Sequence, residues 1–147
     1  PVASFIILAL VWIHGAWVPG FISFLMVLPI VWTNVTQGIR QTDPALLEMG
    51  RVFGLSKKQI FSRIYVPSAL PYFLAACRTS LGLAWKAGIA AEVLGTTALS
   101  IGLNLYEAKI YLETADVFAW TLVVIVLSMV FEYLFGKLMN RLASKYQ

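Results

Sequence analysis

The residues with chemical capacity are few and unevenly placed. The chain of 147 residues carries eleven Lys and Arg, seven Asp and Glu, one His and one Cys, while 60% of it is hydrophobic. Three of the charges, Arg78, Lys86 and Glu92, fall inside one apolar stretch, residues 71–94. A charge facing hydrocarbon is costly, so each is expected to face protein, a watery cavity or an interface. Counted at about 100° per residue, Arg78, Gly82, Trp85, Ile89 and Glu92 share one helical stripe, and Lys86 lies about 80° away. Such a stripe can line a translocation path or a seam between protein copies, with Arg78 and Lys86 tolerating an anionic solute. The plainer reading has Arg78 and Glu92 snorkelling towards opposite faces, which leaves Lys86, nearer the middle, to be explained.

No catalytic constellation accompanies these charges. His14 sits in a turn without carboxylate or Cys neighbours, and Cys77 stands alone in an apolar segment, so neither a disulfide within the chain nor a metal-ligand spacing exists. No Gly-x-x-x-x-Gly-Lys-Ser/Thr phosphate loop occurs. The expectation is therefore no catalytic residue, no metal site and no cofactor held by this chain.

The elements that must position the charges are apolar spans. Charged residues make up 12% of the chain, against about 25% in soluble domains, and the mean hydropathy is +0.82. Residues 1–39 contain no Asp, Glu, Lys or Arg, and the turn formers His14-Gly15 and Pro19-Gly20 interrupt the run. The expected spans are residues 1–14, 17–36, 71–94 and 117–136, the last holding Glu132 as its only charge. The first is short of the roughly 20 residues that cross a bilayer and begins with Pro rather than Met, so it reads as the end of a longer helix. A cleaved signal peptide is the alternative there, but a basic start is lacking. Trp17 and Trp32 near the ends of the second span suit the membrane boundary.

Charge then orients the spans. Residues 37–69 carry Arg40, Arg51, Lys57, Lys58 and Arg63 against Asp43 and Glu48, and the tail carries Lys137, Arg141 and Lys145. Both are expected to be cytoplasmic by the positive-inside rule. The other connections agree, since residues 95–116 hold Lys109 alone against Glu107, Glu113 and Asp116. Glu132 could pair with Lys137 or with the basic loop.

The basic loop reads as two short helices. Asp43 can cap the first, with Pro44 at its first position, and that helix would run to Phe53. Gly54 suits the left-handed conformation that ends a helix, and Ser56-Lys57-Lys58-Gln59 forms a capping box that starts the second. Ile60, Phe61, Ile64 and Tyr65 would form its apolar face, and Pro67 would end it. A short amphipathic helix of this kind needs a partner. An anionic lipid surface is one candidate, for which Lys57 and Lys58 are suited.

Glu48-Met49-Gly50, then Gly54, then Ile64-Tyr65-Val66-Pro67 resembles the EAA loop of ATP-binding-cassette importer permeases, whose pattern is Glu-Ala-Ala, a glycine and Ile-x-Leu-Pro. The chain departs from it with Met49 and Gly50 for the alanines and Val66 for the leucine. Gly82-Leu83-Ala84-Trp85, Ala90-Ala91-Glu92-Val93-Leu94-Gly95 and Ser100-Ile101-Gly102 look like the nitrate, sulfonate and taurine branch, the resemblance covering residues 30–140.

This resemblance implies an all-α polytopic membrane protein, a type I importer-like transmembrane domain truncated at its N-terminus by about two spans. It also implies a second permease copy, a pair of cytoplasmic ATPase subunits that bind the ATP and Mg, and an extracytoplasmic solute-binding protein, in the bacterial inner membrane. The loop residues expected to couple to the ATPase are Glu48 and Gly54 for hinge geometry, Ser56 as the cap, Phe61 and Ile64 for docking, and Pro67. Arg78, Gly82, Trp85, Lys86 and Glu92 are expected along the solute path, for a small anion such as sulfonate, taurine or nitrate.

Two other classes compete. Gly50 to Gln59 has the look of a DNA-binding helix-turn-helix, but such a domain needs a third helix and residues 37–69 leave no room for one. A channel or a purely structural membrane subunit would share the spans without giving a reason for the loop.

Overall fold

The computed structural model describes residues 2–144, with side chains through residue 141. Lys145, one of the three basic residues of the tail, lies outside the described residues. Within them every regular element is helical. Helix α1 (Val2–Trp12) leads through a single 3₁₀ turn into α2 (Val18–Arg40). Then come α3 (Pro44–Val52), α4 (Lys57–Ile60), α5 (Val66–Gly95), α6 (Ile101–Ile110) and α7 (Thr114–Ser144).

Three of these helical runs, residues 15–40, 57–95 and 114–141, are long and apolar enough to cross a membrane. Of the four expected spans, the first is represented by α1, whose 11 residues fall below that length. The framework is the pairing of α5 along α2, with α1 against the far end of both. Its core is Ile6, Ala9, Val18, Ile22, Ala87 and Ala91. Small residues permit the close approach, as is usual where lipid offers no hydrophobic drive between helices. A Cβ on Gly38 of α2 would lie 2.8 Å from Tyr72 Cδ2 and 3.0 Å from the Ala69 Cα on α5. Further along, the Ser23 hydroxyl donates to the Ala84 carbonyl at 2.9 Å.

Hydroxyl and amide side chains inside the span bond back to carbonyls four residues earlier on their own helix. Around Pro29 in α2, Thr33 Oγ1 donates to the Pro29 carbonyl at 2.7 Å and Asn34 Nδ2 to the Ile30 carbonyl at 2.8 Å.

Pro67 does not end a helix. The chain from residue 57 to residue 95 is one continuous 39-residue helical run, with a five-residue π turn, Phe61–Tyr65, placed directly before it. Proline in a helix removes one donor and crowds the carbonyl four residues back, here Arg63 inside the π turn. The wider π geometry absorbs that crowding, so the second helix of the basic loop and the third span are a single rod.

Residues 95–116, expected to be a connection, contain the ten-residue helix α6. Its flanks are tightly constrained. Thr96 (φ 44°) and Leu99 (φ 56°) before it and Leu112 (φ 58°) after it all adopt the left-handed region, which is uncommon for residues with a Cβ.

Candidate functional site

The arm at the basic end is built from local signals that close on one another. The Asp43 carboxylate accepts from Ala45 N at 2.8 Å and caps α3, with Pro44 at its start. At the other end Leu55 N donates to the Gly50 carbonyl at 2.9 Å and Gly54 N to the Arg51 carbonyl at 3.0 Å, with Gly54 at φ +67°. This is the Schellman arrangement, which needs a left-handed residue at Gly54. Ser56 and Gln59 then form a reciprocal capping box: Ser56 N donates to Gln59 Oε1 at 2.9 Å and Gln59 N to Ser56 Oγ at 3.4 Å. The two helical arms are thereby joined through four residues with their backbone groups satisfied.

The arms also pack. Ile64, expected beside Phe61 on a docking face, is only 8% exposed and sits against α3, where a Cβ on Gly50 would lie 3.0 Å from its Cδ1. Ile60, one turn before it, meets Gly50 as well, so the apolar face read from the spacing is kept but closes on α3 instead of standing free. The exposed apolar surface lies on α3 and its end instead. Val52 is 84% exposed and Phe53 76%, with Leu46 and Met49 beside them in the sequence also exposed. Phe61 is exposed but lines an apolar groove with Val35, Ile39, Tyr65 and Phe73. Glu48 is exposed on α3, as are Ser56 and Pro67.

Within the spans, the five path candidates divide between two adjoining cavities at the seam of α5 with α7. One, of about 430 Å³, is lined by Arg78, Thr79, Gly82 and Lys86 of α5 and by Glu132 and Phe135 of α7. The other, of about 370 Å³, is lined by Ser23, Trp85, Ile89, Glu92, Ile101 and Ser128 among others, and again by Glu132. The single stripe counted from the sequence is thus split by α7, which inserts Glu132 at the boundary.

Each candidate has its own environment. Arg78 Nη1 donates to Asn140 Oδ1 at 3.5 Å. Trp85 stacks at a tilt on Phe131 with ring centroids 5.1 Å apart, and its buried Nε1–H has no acceptor among the described residues. An indole donor held dry in this way is an unmet demand for an acceptor.

Glu92 is accounted for by α6: its Oε2 accepts from Gly102 N at 3.0 Å, while Ser100 Oγ accepts from Leu103 N at 3.0 Å. A carboxylate at a helix N-terminus is stabilised by the free N–H groups and the dipole there. Gly102 is buried against α5, where a Cβ would meet Val93 N at 2.6 Å and the Glu92 carbonyl carbon at 2.7 Å. The quoted segments around Glu92 and Gly102 therefore meet in space as one joint.

Glu132 is the residue that sequence reasoning undervalued. It does not turn to Lys137; Ser128 Oγ donates to its Oε1 at 3.5 Å, and that oxygen lies 2.7 Å from where a Gly82 Cβ would stand. The available signal was that a lone carboxylate in an apolar span is expensive, and that Gly82 leaves a gap one helical turn from each of two cations.

The sequence is similar to those of known proteins. The profile described as binding-protein-dependent transport system inner membrane component matches residues 1–144. The bicarbonate transport system permease protein CmpB of Synechocystis sp. is 35% identical over 88 residues, 58% of this chain and 31% of the relative. The putative aliphatic sulfonates transport permease protein SsuC of Bacillus subtilis is 36% identical over 89 residues, 60% of this chain and 32% of its own. Its Escherichia coli counterpart of the same name is 33% identical over 118 residues, 80% of this chain and 41% of the relative. The chain thus spans between about a third and two fifths of the length of these curated relatives.

Proposed function

Since the chain belongs to the family of binding-protein-dependent transport system inner membrane components, we propose that it forms the solute path of an ATP-binding-cassette importer and couples that path to a separate ATPase. The observation that carries the coupling is the capped arm of residues 43–65, rigidly joined to the third span and exposing Val52 and Phe53 at its tip. An apolar ridge on a short helix suits a groove in a partner, the helix-in-groove mode. Because the run from residue 57 to residue 95 is continuous, movement of the docked arm is passed to α5 as rotation of a rod.

The partners in this reading are a pair of ATPase subunits, which bind ATP and Mg, a second permease copy, and an extracytoplasmic solute-binding protein. The chain lies in the inner membrane, with the basic arm and the C-terminus on the cytoplasmic side by the positive-inside rule. The solute is a small oxyanion. Arg78 and Lys86 line one cavity of the seam, Trp85 offers an unused donor in the next, and the relatives are named for bicarbonate and aliphatic sulfonates.

The test is co-purification. The full-length permease is co-expressed with its ATPase and purified in detergent, alone and with Phe53→Asp or Gly54→Asp. Retention of the ATPase by the unaltered protein and its loss in both variants supports the reading. An unaltered permease that retains no ATPase overturns it.

A further inference from the structure

Arg78, Gly82 and Lys86 follow one another at four-residue spacing on α5, so the glycine lies one turn from each cation on nearly the same face. Glu132 of α7 fills the gap that the missing side chain leaves, with Oε1 2.7 Å from the position of a Gly82 Cβ. All four residues line the same cavity of about 430 Å³. Yet the carboxylate is loosely held. Its one hydrogen bond is the 3.5 Å contact from Ser128, and among the described residues no ion pair within 4.0 Å joins it to Arg78 or Lys86. Two cations and one carboxylate leave the cavity one positive charge in excess, on otherwise apolar helices where charge is costly.

Glu132 also lines the neighbouring cavity, the one that holds Trp85 with its buried, unpartnered indole N–H. Glu132 thus borders both the cation cavity and the cavity that holds an unpartnered donor.

We propose that Glu132 is a resident counter-anion for Arg78 and Lys86, displaced towards Trp85 when a small solute oxyanion enters between them. This rests on the anion-path reading above and specifies its mechanism. The solute takes the place of a charge the seam already compensates, so neither the empty nor the loaded seam holds two bare cations. Gly82 is then a positioning residue, because a side chain there would push the carboxylate from the place it holds.

The full-length permease complex in detergent is assayed by thermal shift, with ethanesulfonate and bicarbonate as probes. Glu132→Gln is expected to lower Tm by roughly 2–4 °C without added anion, and ethanesulfonate or bicarbonate should restore it at about tenfold lower concentration than either acts on wild type. Gly82→Ala, which expels the carboxylate without removing it, should behave the same way. Adding Lys86→Gln to Glu132→Gln should abolish the restoration.

Equal Tm and equal anion response in Glu132→Gln, Gly82→Ala and wild type would overturn the proposal. So would restoration by phosphatidylglycerol alone, which would make the site a lipid site. Uptake of the labelled anions by the assembled importer in proteoliposomes separates the two readings. Anion response without uptake sinks the solute-path reading and leaves the counter-anion; uptake without a response in the variants does the reverse.

Discussion

Replacing Gly102 by alanine tests whether the joint between α5 and α6 is as tight as its geometry requires. The new Cβ would stand 2.6 Å from Val93 N and 2.7 Å from the Glu92 carbonyl carbon, both backbone atoms of a long helix that cannot step aside. Ordinary contact begins near 3.4 Å and the Glu92 Cβ stands nearer than either backbone atom, so α6 must withdraw by at least about 0.8 Å. The same movement stretches the 3.0 Å bond from Gly102 N to Glu92 Oε2 to nearly 3.8 Å, beyond hydrogen-bonding range.

A hydrogen bond to a charged acceptor is worth about 1.5–3 kcal/mol, and partial exposure of this one favours the lower end. With residual overlap the expected cost is about 2 kcal/mol, which is roughly 4–8 °C in Tm for a chain of this size. Thermal shift of the full-length permease in detergent reads the total, and amide hydrogen exchange over residues 101–110 reads the location. Glu92→Gln, which keeps the shape and removes the charge, should cost about 1 kcal/mol with a smaller rise in exchange. A Gly102→Ala protein within about 1 °C of wild type, with unchanged exchange across α6, would refute the reasoning.

Other perturbations have separate readouts. Gly54→Val should cost about 1–2 kcal/mol in thermal shift, because φ of +67° is forced on a β-branched residue, and Gly54→Asn should recover most of the loss. Gly38→Val should destabilise by about 1–3 kcal/mol, since its Cβ meets the Ala69 Cα and the Tyr72 ring and pushes α2 from α5. Gly50→Ala should be mild, under about 1 kcal/mol, because the group it meets is the flexible end of Ile64; a larger loss in thermal shift would mean that the arm cannot relax. Ser56→Ala removes one half of the capping box and should cost about 1 kcal/mol while loosening the arm to limited proteolysis.

The parts legible in the sequence are those whose causes are local. Asp43, Gly54, Ser56 and Gln59 each act on backbone groups within a few residues, and all four do what their spacing announces. Three long apolar helices were legible because composition alone decides them, whereas α1 is too short to cross and the third run begins well before residue 71. The misreadings share a different origin. Pro67 was read as a stop because the rule assumes α geometry, and the π turn before it relaxes that assumption. Ile64 keeps the face it shares with Ile60, but that face packs on Gly50 of α3, a contact that only the folded arm supplies. Helix α6 hid behind Gly102, a poor helix residue on propensity, placed there because only glycine fits against Glu92.

The charges inside the third span show why a one-dimensional count stops short of function. A helical wheel can say that Arg78, Gly82 and Glu92 share a side; it cannot say what stands opposite each of them. Opposite Glu92 is a helix N-terminus, which turns an apparent path residue into a joint. Opposite Gly82 is a carboxylate from a helix fifty residues later, which turns a packing glycine into room for a charge. The cost of a charge in an apolar span is visible in the sequence, but its compensation is long-range. The compensating group therefore decides whether such a residue holds the fold together or handles a solute. By that criterion Glu92, which bonds the start of α6, also serves the fold, whereas Arg78, Lys86 and Glu132 share a cavity and, among the described residues, close into no ion pair, which is the arrangement the proposed anion site uses.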